Sequence, residues 1–334
     1  MTYPPPARYA AWMPPLNDQL RRAPLARALT RVCEAVTPGS RPANVRRLGG
    51  GLDAAMHTMD LVAPAGERRR LVVRRYPARL LERDPGRPLR AWRTLGVLEP
   101  LGIAAPRPVL FDGDGAILGN PGYVMTRLPG GSRLTPRDPR GFVRGLAGAL
   151  AAVHRAPVAG VDLSFLREPE WEADGGLKLD EDARSGLTAY PDGPSIEAAL
   201  HQWWSTRSRM ATTLVHGDYW SGNTLWSRGR LTGVVDWDWA GVEEPGFEVG
   251  YCRLDMALQM GPEAADLFVR DYEAAAGWRI TGLAGWDLLG AVRALPDPAV
   301  WLSGYHELGR ADLTVDDLRT GVRAFIASAL QRID

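Results

Sequence analysis

LVHGDYWSGNTLW (Leu214–Trp226) is followed after four residues by LTGVVDWDWAG (Leu231–Gly241). The two pieces place Asp218, then Asn223 five residues later, then Asp236 after an apolar run. One carboxylate to orient a hydroxyl and two oxygen ligands for Mg²⁺ form the inventory for moving a phosphoryl group. The run Leu231–Val235 reads as a buried strand, so Asp236 stands at a strand end. Each residue also has an ordinary structural use: a loop cap for Asp218, a turn residue after Gly222 for Asn223, a strand-end ion pair for Asp236.

Working outward, the 334 residues suffice for one large or two medium domains. A hydrophobic content of 45% with 24% charged residues is ordinary for a soluble globular chain. No apolar run approaches the roughly 18 residues of a membrane span. The start, MTYPPPARYAAWMPP, has neither a basic nor an apolar signal region. Cys33 and Cys252 are too few for a disulfide framework, which fits the cytoplasm. No continuous basic-aromatic face argues for nucleic acid, and no feature sets an oligomeric state. Residues 1–130 carry 20 Arg against 10 acids, whereas the C-terminal part is acidic. Such asymmetry suits an anionic cofactor on one side and a cationic acceptor on the other, or is simple drift of surface charge.

Lys178, in GGLKLD, is the single lysine of the chain. A Walker A loop needs Gly-Lys-Ser/Thr, so P-loop chemistry is excluded. The Gly113-Asp114-Gly115 cluster lies in a hairpin and opens no helix, which excludes a Rossmann dinucleotide site.

Before Arg127–Gly131 the pattern is mostly strand. A helix over 16–36 is interrupted by Pro24. Strands follow, one ending near Leu48, then Met56–Val62 and Leu71–Tyr76, a helix over 89–101, and two short strands around a glycine turn. After the break the pattern is helical: Asp138–Arg155, an irregular insert over 160–194, a helix from Ser195 to Arg209 with Ser195 as N-cap, and helices at 246–260, 262–276, 285–294 and 314–332. The expected domains are 1–128, an N-terminal lobe with a helical extension, and 129–334.

His216-Gly217-Asp218, Asn223 and Val234-Val235-Asp236-Trp237-Asp238 stand in the order of the kinase pattern His-x-Asp-x-x-x-x-Asn followed by a metal-binding Asp. With Tyr123–Leu128 as a hinge-like strand, the chain resembles the aminoglycoside phosphotransferase and choline kinase-like family of small-molecule kinases over residues 40–334. The resemblance implies a bilobal, protein-kinase-like α+β fold: a small antiparallel β-rich N-lobe, a larger mainly helical C-lobe, and nucleotide between them. It implies ATP (or GTP) and Mg²⁺ as cofactors and a small-molecule hydroxyl acceptor as partner. Asp218 would be the catalytic carboxylate, with Asn223 and Asp236 holding the metal. Gly50 and Gly51 of the run Gly49–Gly51 would cover the nucleotide, and Met125, Thr126 and Leu128 would meet the adenine. His216 and His154 read as structural, Asp238 lies behind the ligands, and Glu248 anchors the loop.

The N-lobe departs from the pattern. Arg74 occupies the phosphate-lysine position in LVVRR, which keeps the charge but alters its reach. Ala91 falls where the paired helix glutamate belongs, with Glu82 and Glu99 as substitutes. A kinase-like nucleotide-binding module with little catalysis therefore stays open. A protein kinase is disfavoured by the missing Gly-x-Gly-x-x-Gly, Val-Ala-Ile-Lys and Ala-Pro-Glu segments. For the acceptor, aminoglycosides, macrolides, amino alcohols and sugars are all open. Glu243, Glu244, Asp255 and Asp271 would suit a cationic one, and some of Trp220, Trp226, Trp237 and Trp239 an apolar one.

Overall fold

The computed structural model describes residues 20, 22–49, 54–167, 169 and 171–333. They fall into two compact units, one ending at Pro129 and the other running from Gly130. Together these make a bilobal α+β architecture of the protein-kinase-like kind, with a small sheet unit and a larger helical unit.

The first unit is built on a five-stranded antiparallel sheet of order β1-β2-β3-β5-β4. Its strands are β1 (Arg41–Arg47), β2 (Ala55–Val62), β3 (Arg68–Arg75), β4 (Pro108–Asp112) and β5 (Gly122–Thr126). Helix α1 (Ala26–Val36) begins only after Pro24, because proline cannot sit in a helix interior. Leu29, Val32 and Cys33 recur at helical spacing and pack on Met59, Leu61, Leu71, Val73 and Val124 of the sheet. A short α2 (Ala78–Arg83) precedes α3 (Arg87–Leu98), which starts with Pro88 in its first turn. Trp92 of α3 meets Phe111 of β4 and Tyr123 of β5 at ring centroid distances of 5.8 and 6.0 Å.

The second unit opens with α4 (Pro139–His154), whose N-cap Asp138 accepts from Gly141 N–H. The stretch expected to be irregular is partly ordered. It holds the two-residue strands β6 (Glu172–Ala173) and β7 (Gly176–Leu177) and helix α5 (Glu181–Ala189). Asp180 caps α5, and Glu181 and Asp182 favour its positive N-terminus, a signal that the surrounding glycines and prolines obscure. Helix α6 (Gly193–Thr206) starts earlier than expected, with Pro194 in its first turn, so Ser195 lies inside the helix.

Strands β8 (Thr213–Val215) and β11 (Gly241–Glu243) pair with each other, as do β9 (Thr224–Ser227) and β10 (Arg230–Val234). Helices α7 (Gly246–Met260), α8 (Pro262–Ala276), α9 (Leu283–Val292), the short α10 (Leu302–Glu307) and α11 (Val315–Arg332) complete the unit. The fully buried Asp287 of α9 bonds Arg253 of α7 and, at 3.0 Å, Arg332 of α11, fastening three helices together. A capping box between Thr314 and Asp317 starts α11. Among the described residues no helix is long and apolar enough to cross a membrane.

Candidate active site

β8 delivers the chain into His216-Gly217-Asp218. Gly217 has φ +82°, and a Cβ there would lie 2.0 Å from the Trp239 carbonyl oxygen, so only glycine fits the turn. The turn hangs on Glu248, in the first turn of α7 and 1% exposed. One carboxylate oxygen accepts from Gly217 N–H at 2.6 Å. The other accepts from His216 N–H at 3.0 Å and from the ring of His154 at 2.9 Å. Burial works to raise the Glu248 pKa, but the His154 hydrogen bond and the backbone N–H of His216 outweigh it and hold the carboxyl below its ordinary range. Glu248 thus anchors the loop through two backbone donors of another segment.

His216 is fully buried, and burial lowers its pKa, so the ring is neutral. Its Nδ1 accepts from Asp218 N–H at 3.2 Å, so Nε2 carries the proton and donates to the Val235 carbonyl at 2.9 Å. The ring therefore ties the Asp218 turn to the residue preceding Asp236.

Asn223 closes a 3₁₀ turn, Ser221–Asn223. Its amide nitrogen donates to the Asp218 carbonyl at 2.9 Å and to Asp218 Oδ2 at 3.1 Å. Both partners are acceptors, which fixes the amide orientation and, among the described residues, leaves its oxygen as a hard donor. The Asn223 carbonyl accepts from Val235 N–H at 2.9 Å. Asp236 follows in the left-handed conformation, φ 69° and ψ 58°, and starts the 3₁₀ turn Trp237–Trp239. A carboxylate residue held there by its surroundings stores backbone strain. The structure thus ties Asp218 and Asn223 to each other and, through Val235, to the residue preceding Asp236. Among the described residues no cluster of three or more His, Cys, Asp and Glu forms a closed metal cage. One carboxylate and one amide oxygen suit Mg²⁺, which keeps waters and takes phosphate oxygens for the rest of its shell.

The Asp218 side chain remains 27% exposed. Burial pushes its pKa up to about 7, the Arg293 guanidinium opposes the rise, and Asp236 adds to it. Arg293 approaches Asp218 Oδ1 at 3.7 Å and donates to the Gly217 carbonyl at 3.1 Å. Tyr251 reaches the same carboxylate oxygen through its hydroxyl at 3.3 Å. Sequence reasoning missed both, since neither lies at a motif spacing from Asp218. A second brace lies below: the buried Asp255 accepts from Ser221 N–H and Tyr305 hydroxyl, each at 3.0 Å, and from Gln259.

In the first unit, Arg74 pairs with Met56 and Tyr123 across β3, is 2% exposed, and stacks over Tyr76 at 5.2 Å. Ala91 is buried on α3. Glu99 pairs with Arg107 at 3.1 Å, and Glu82 is exposed on α2. Met125 lies buried opposite Val72 and Pro108. Thr126 N–H donates to the Arg107 carbonyl and Arg127 N–H to the Arg70 carbonyl, each at 2.9 Å. Among the described residues no such bond occupies Leu128 N–H. Gly50 and Gly51 lie outside the described residues.

Of the acidic acceptor candidates, Glu244 is buried and bound by Arg207 and Met210 N–H. Asp255 is spent on the brace just described, and Asp271 faces Arg144 at 3.6 Å. Trp237 is buried with its N–H on the Val234 carbonyl, Trp226 stacks on Phe142 at 4.6 Å, and Trp239 lies under Arg167 at 4.2 Å.

A five-stranded sheet unit joined to a helical unit carrying Asp218, Asn223 and Asp236 defines the protein-kinase-like class. Within that class the chain belongs to the phosphotransferase enzyme family, whose model matches residues 46–289. It is 28% identical over 170 residues to a homoserine kinase of Parvibaculum lavamentivorans, covering 47% of this chain and 50% of that one. The chain thus spans about half the length of that curated relative. A Ralstonia eutropha protein with a provisional aminoglycoside phosphotransferase assignment superposes with a TM-score of 0.60 at 18% identity, over 91% of this chain and 96% of that one. The aminoglycoside phosphotransferase APH(4)-Ia, in a ternary complex with AMP-PNP and hygromycin B, superposes with a TM-score of 0.54 at 14% identity, over 90% and 98%. At these identities the two structures speak to the fold.

Proposed function

We propose that the protein is a Mg²⁺-dependent kinase that transfers the γ-phosphoryl group of ATP (or GTP) to a hydroxyl of a small molecule. The observation that supports it most is the double grip of Asn223 on Asp218, with Val235 bonded to Asn223 one residue before Asp236. A nucleotide-binding module has no use for a carboxylate fixed at two points beside two hard oxygen donors. Asp218 accepts the hydrogen bond of the incoming hydroxyl through its exposed edge and aims it at the phosphorus. A carboxylate whose pKa is lifted toward 7 is also a better proton acceptor than an ordinary one. Asn223 and Asp236 would hold Mg²⁺, which supplies charge neutralisation on the transferring phosphoryl group. Arg74 is the phosphate-contacting cation of the first unit, and Leu128 N–H is the backbone donor for the base, with Met125 and Thr126 beside it. The relatives act on, or are bound to, acceptors as different as homoserine and hygromycin B, so the family leaves the acceptor open.

The test is an acceptor screen coupled to ADP or GDP release, run beside Asp218→Asn. The reading requires acceptor-dependent release that Asp218→Asn abolishes while nucleotide binding survives. Turnover by Asp218→Asn near the wild-type rate overturns it.

A further inference from the structure

Arg293 and Tyr251 contact Asp218 away from its metal-binding side, and aromatic rings adjoin them. The guanidinium of Arg293 stands at 3.7 Å from the carboxylate and stacks on Phe247 and Tyr251 at 4.7 and 4.9 Å. Tyr251, whose hydroxyl meets Asp218, carries the half-buried Trp301 edge-on at 6.3 Å. Trp220, two residues beyond Asp218 and also half-buried, sits edge-on to Tyr305 at 6.0 Å, with its ring over Gly222. Arg293, Trp301 and Tyr305 all lie beyond residue 289, where the family match ends. The surroundings of Asp218 are thus partly built from residues beyond the family match.

Resting on the kinase reading above, we propose that the acceptor is an alcohol with an apolar or aromatic body and no net positive charge, received against Trp301 and Trp220 beside Arg293. A polyamine acceptor needs carboxylates to receive it. Glu244 and Asp255 are already engaged by Arg207 and by Ser221 and Tyr305, Asp271 faces Arg144, and Glu243 is half-buried on β11 opposite Thr213. An ammonium approaching Asp218 would compete with the Arg293 guanidinium, which already supplies the opposite charge at 3.7 Å. Aromatic faces also attract cations, but those of Phe247 and Tyr251 already carry Arg293. What Trp301 and Trp220 still offer is apolar area and ring edges, which suit a flat or aliphatic body.

The experiment measures ADP release by the full chain with Mg-ATP and alcohols grouped by charge. Tryptophol, 2-phenylethanol and mandelate represent the neutral and anionic apolar class; kanamycin and hygromycin B represent the polycations. Release is expected with the first group and not with the second. Trp301→Ala is expected to raise the acceptor KM by about tenfold, the scale of a lost aromatic contact, with the ATP KM unchanged, and Trp301→Phe to restore most of it. Release with the polycations alone overturns the acceptor class and leaves the kinase reading standing. A Trp301→Ala protein that keeps the wild-type melting temperature and acceptor KM overturns the platform. ADP release with no alcohol in either group overturns the kinase reading and this inference with it.

Discussion

Asn223 grips Asp218 at two points, through the carbonyl at 2.9 Å and through Oδ2 at 3.1 Å. The grip leaves Asp218 Oδ1 to Tyr251 and Arg293, so each oxygen of the carboxylate has its own holder. Asn223→Ala removes the amide that sets the carboxylate angle and one of the two proposed metal oxygens. It is expected to lower kcat by at least about 100-fold, the usual scale for losing alignment at a phosphoryl-transfer centre. A titration of rate against Mg²⁺ checks it: the variant should need more metal for half-maximal rate. An unchanged Mg²⁺ dependence would remove Asn223 from the metal site.

Gly217 sits at φ +82° against the Trp239 backbone, and its N–H is held by Glu248. Gly217→Ala adds a methyl that cannot be accommodated without moving the Asp218 turn or the 3₁₀ turn after Asp236. A loss of about 2 kcal/mol or more in stability is expected, together with loss of turnover. Urea denaturation and a kcat measurement on the same preparation give both quantities.

The strained backbone of Asp236 separates function from stability. At φ 69° a glycine pays no Cβ penalty, whereas a residue with a side chain does. Asp236→Gly is therefore expected to be more stable than Asp236→Ala by about 1 kcal/mol, with both inactive. Equal denaturation midpoints for the two variants would show that the conformation relaxes once the carboxylate is gone.

The knot at Asp218 was legible because its residues are close in sequence and their spacing is set by one turn and one hairpin. Helices at 246–260 and 262–276 were legible for a similar reason: Gly261 and Pro262 punctuate a clear helical period. Helix α5 was not, because a short capped helix among glycines and prolines gives too few residues for a period to show. Arg293, Tyr251 and Trp301 were hidden for another reason. Tyr251 and Arg293 reach Asp218, and Trp301 reaches Tyr251, only through the packing of α7 and α9 and the turn before α10, and no local pattern records contacts of that range. The missing glutamate opposite Arg74 was legible too, since the helix is present and Ala91 stands buried on it.

Glu248 links the pH dependence of stability to the architecture of the turn. Its folded-state pKa lies below the ordinary glutamate value, so the folded protein holds the proton less tightly than the unfolded chain. The stabilisation from the ionised carboxylate is therefore fully present above the unfolded pKa, roughly 4.3, and is lost as pH falls through the lower folded value. Glu248→Gln keeps the shape but replaces one acceptor oxygen by a donor. It would face His216 N–H, Gly217 N–H and the His154 ring with one acceptor instead of two. A loss of roughly 3 kcal/mol at neutral pH is expected, as for breaking a buried charged network. Urea midpoints followed from pH 7 to pH 3 should fall more steeply for the wild type than for Glu248→Gln, so the two curves converge in acid. Parallel curves would mean that the carboxylate is not held ionised by the His154 ring and the backbone donors around it.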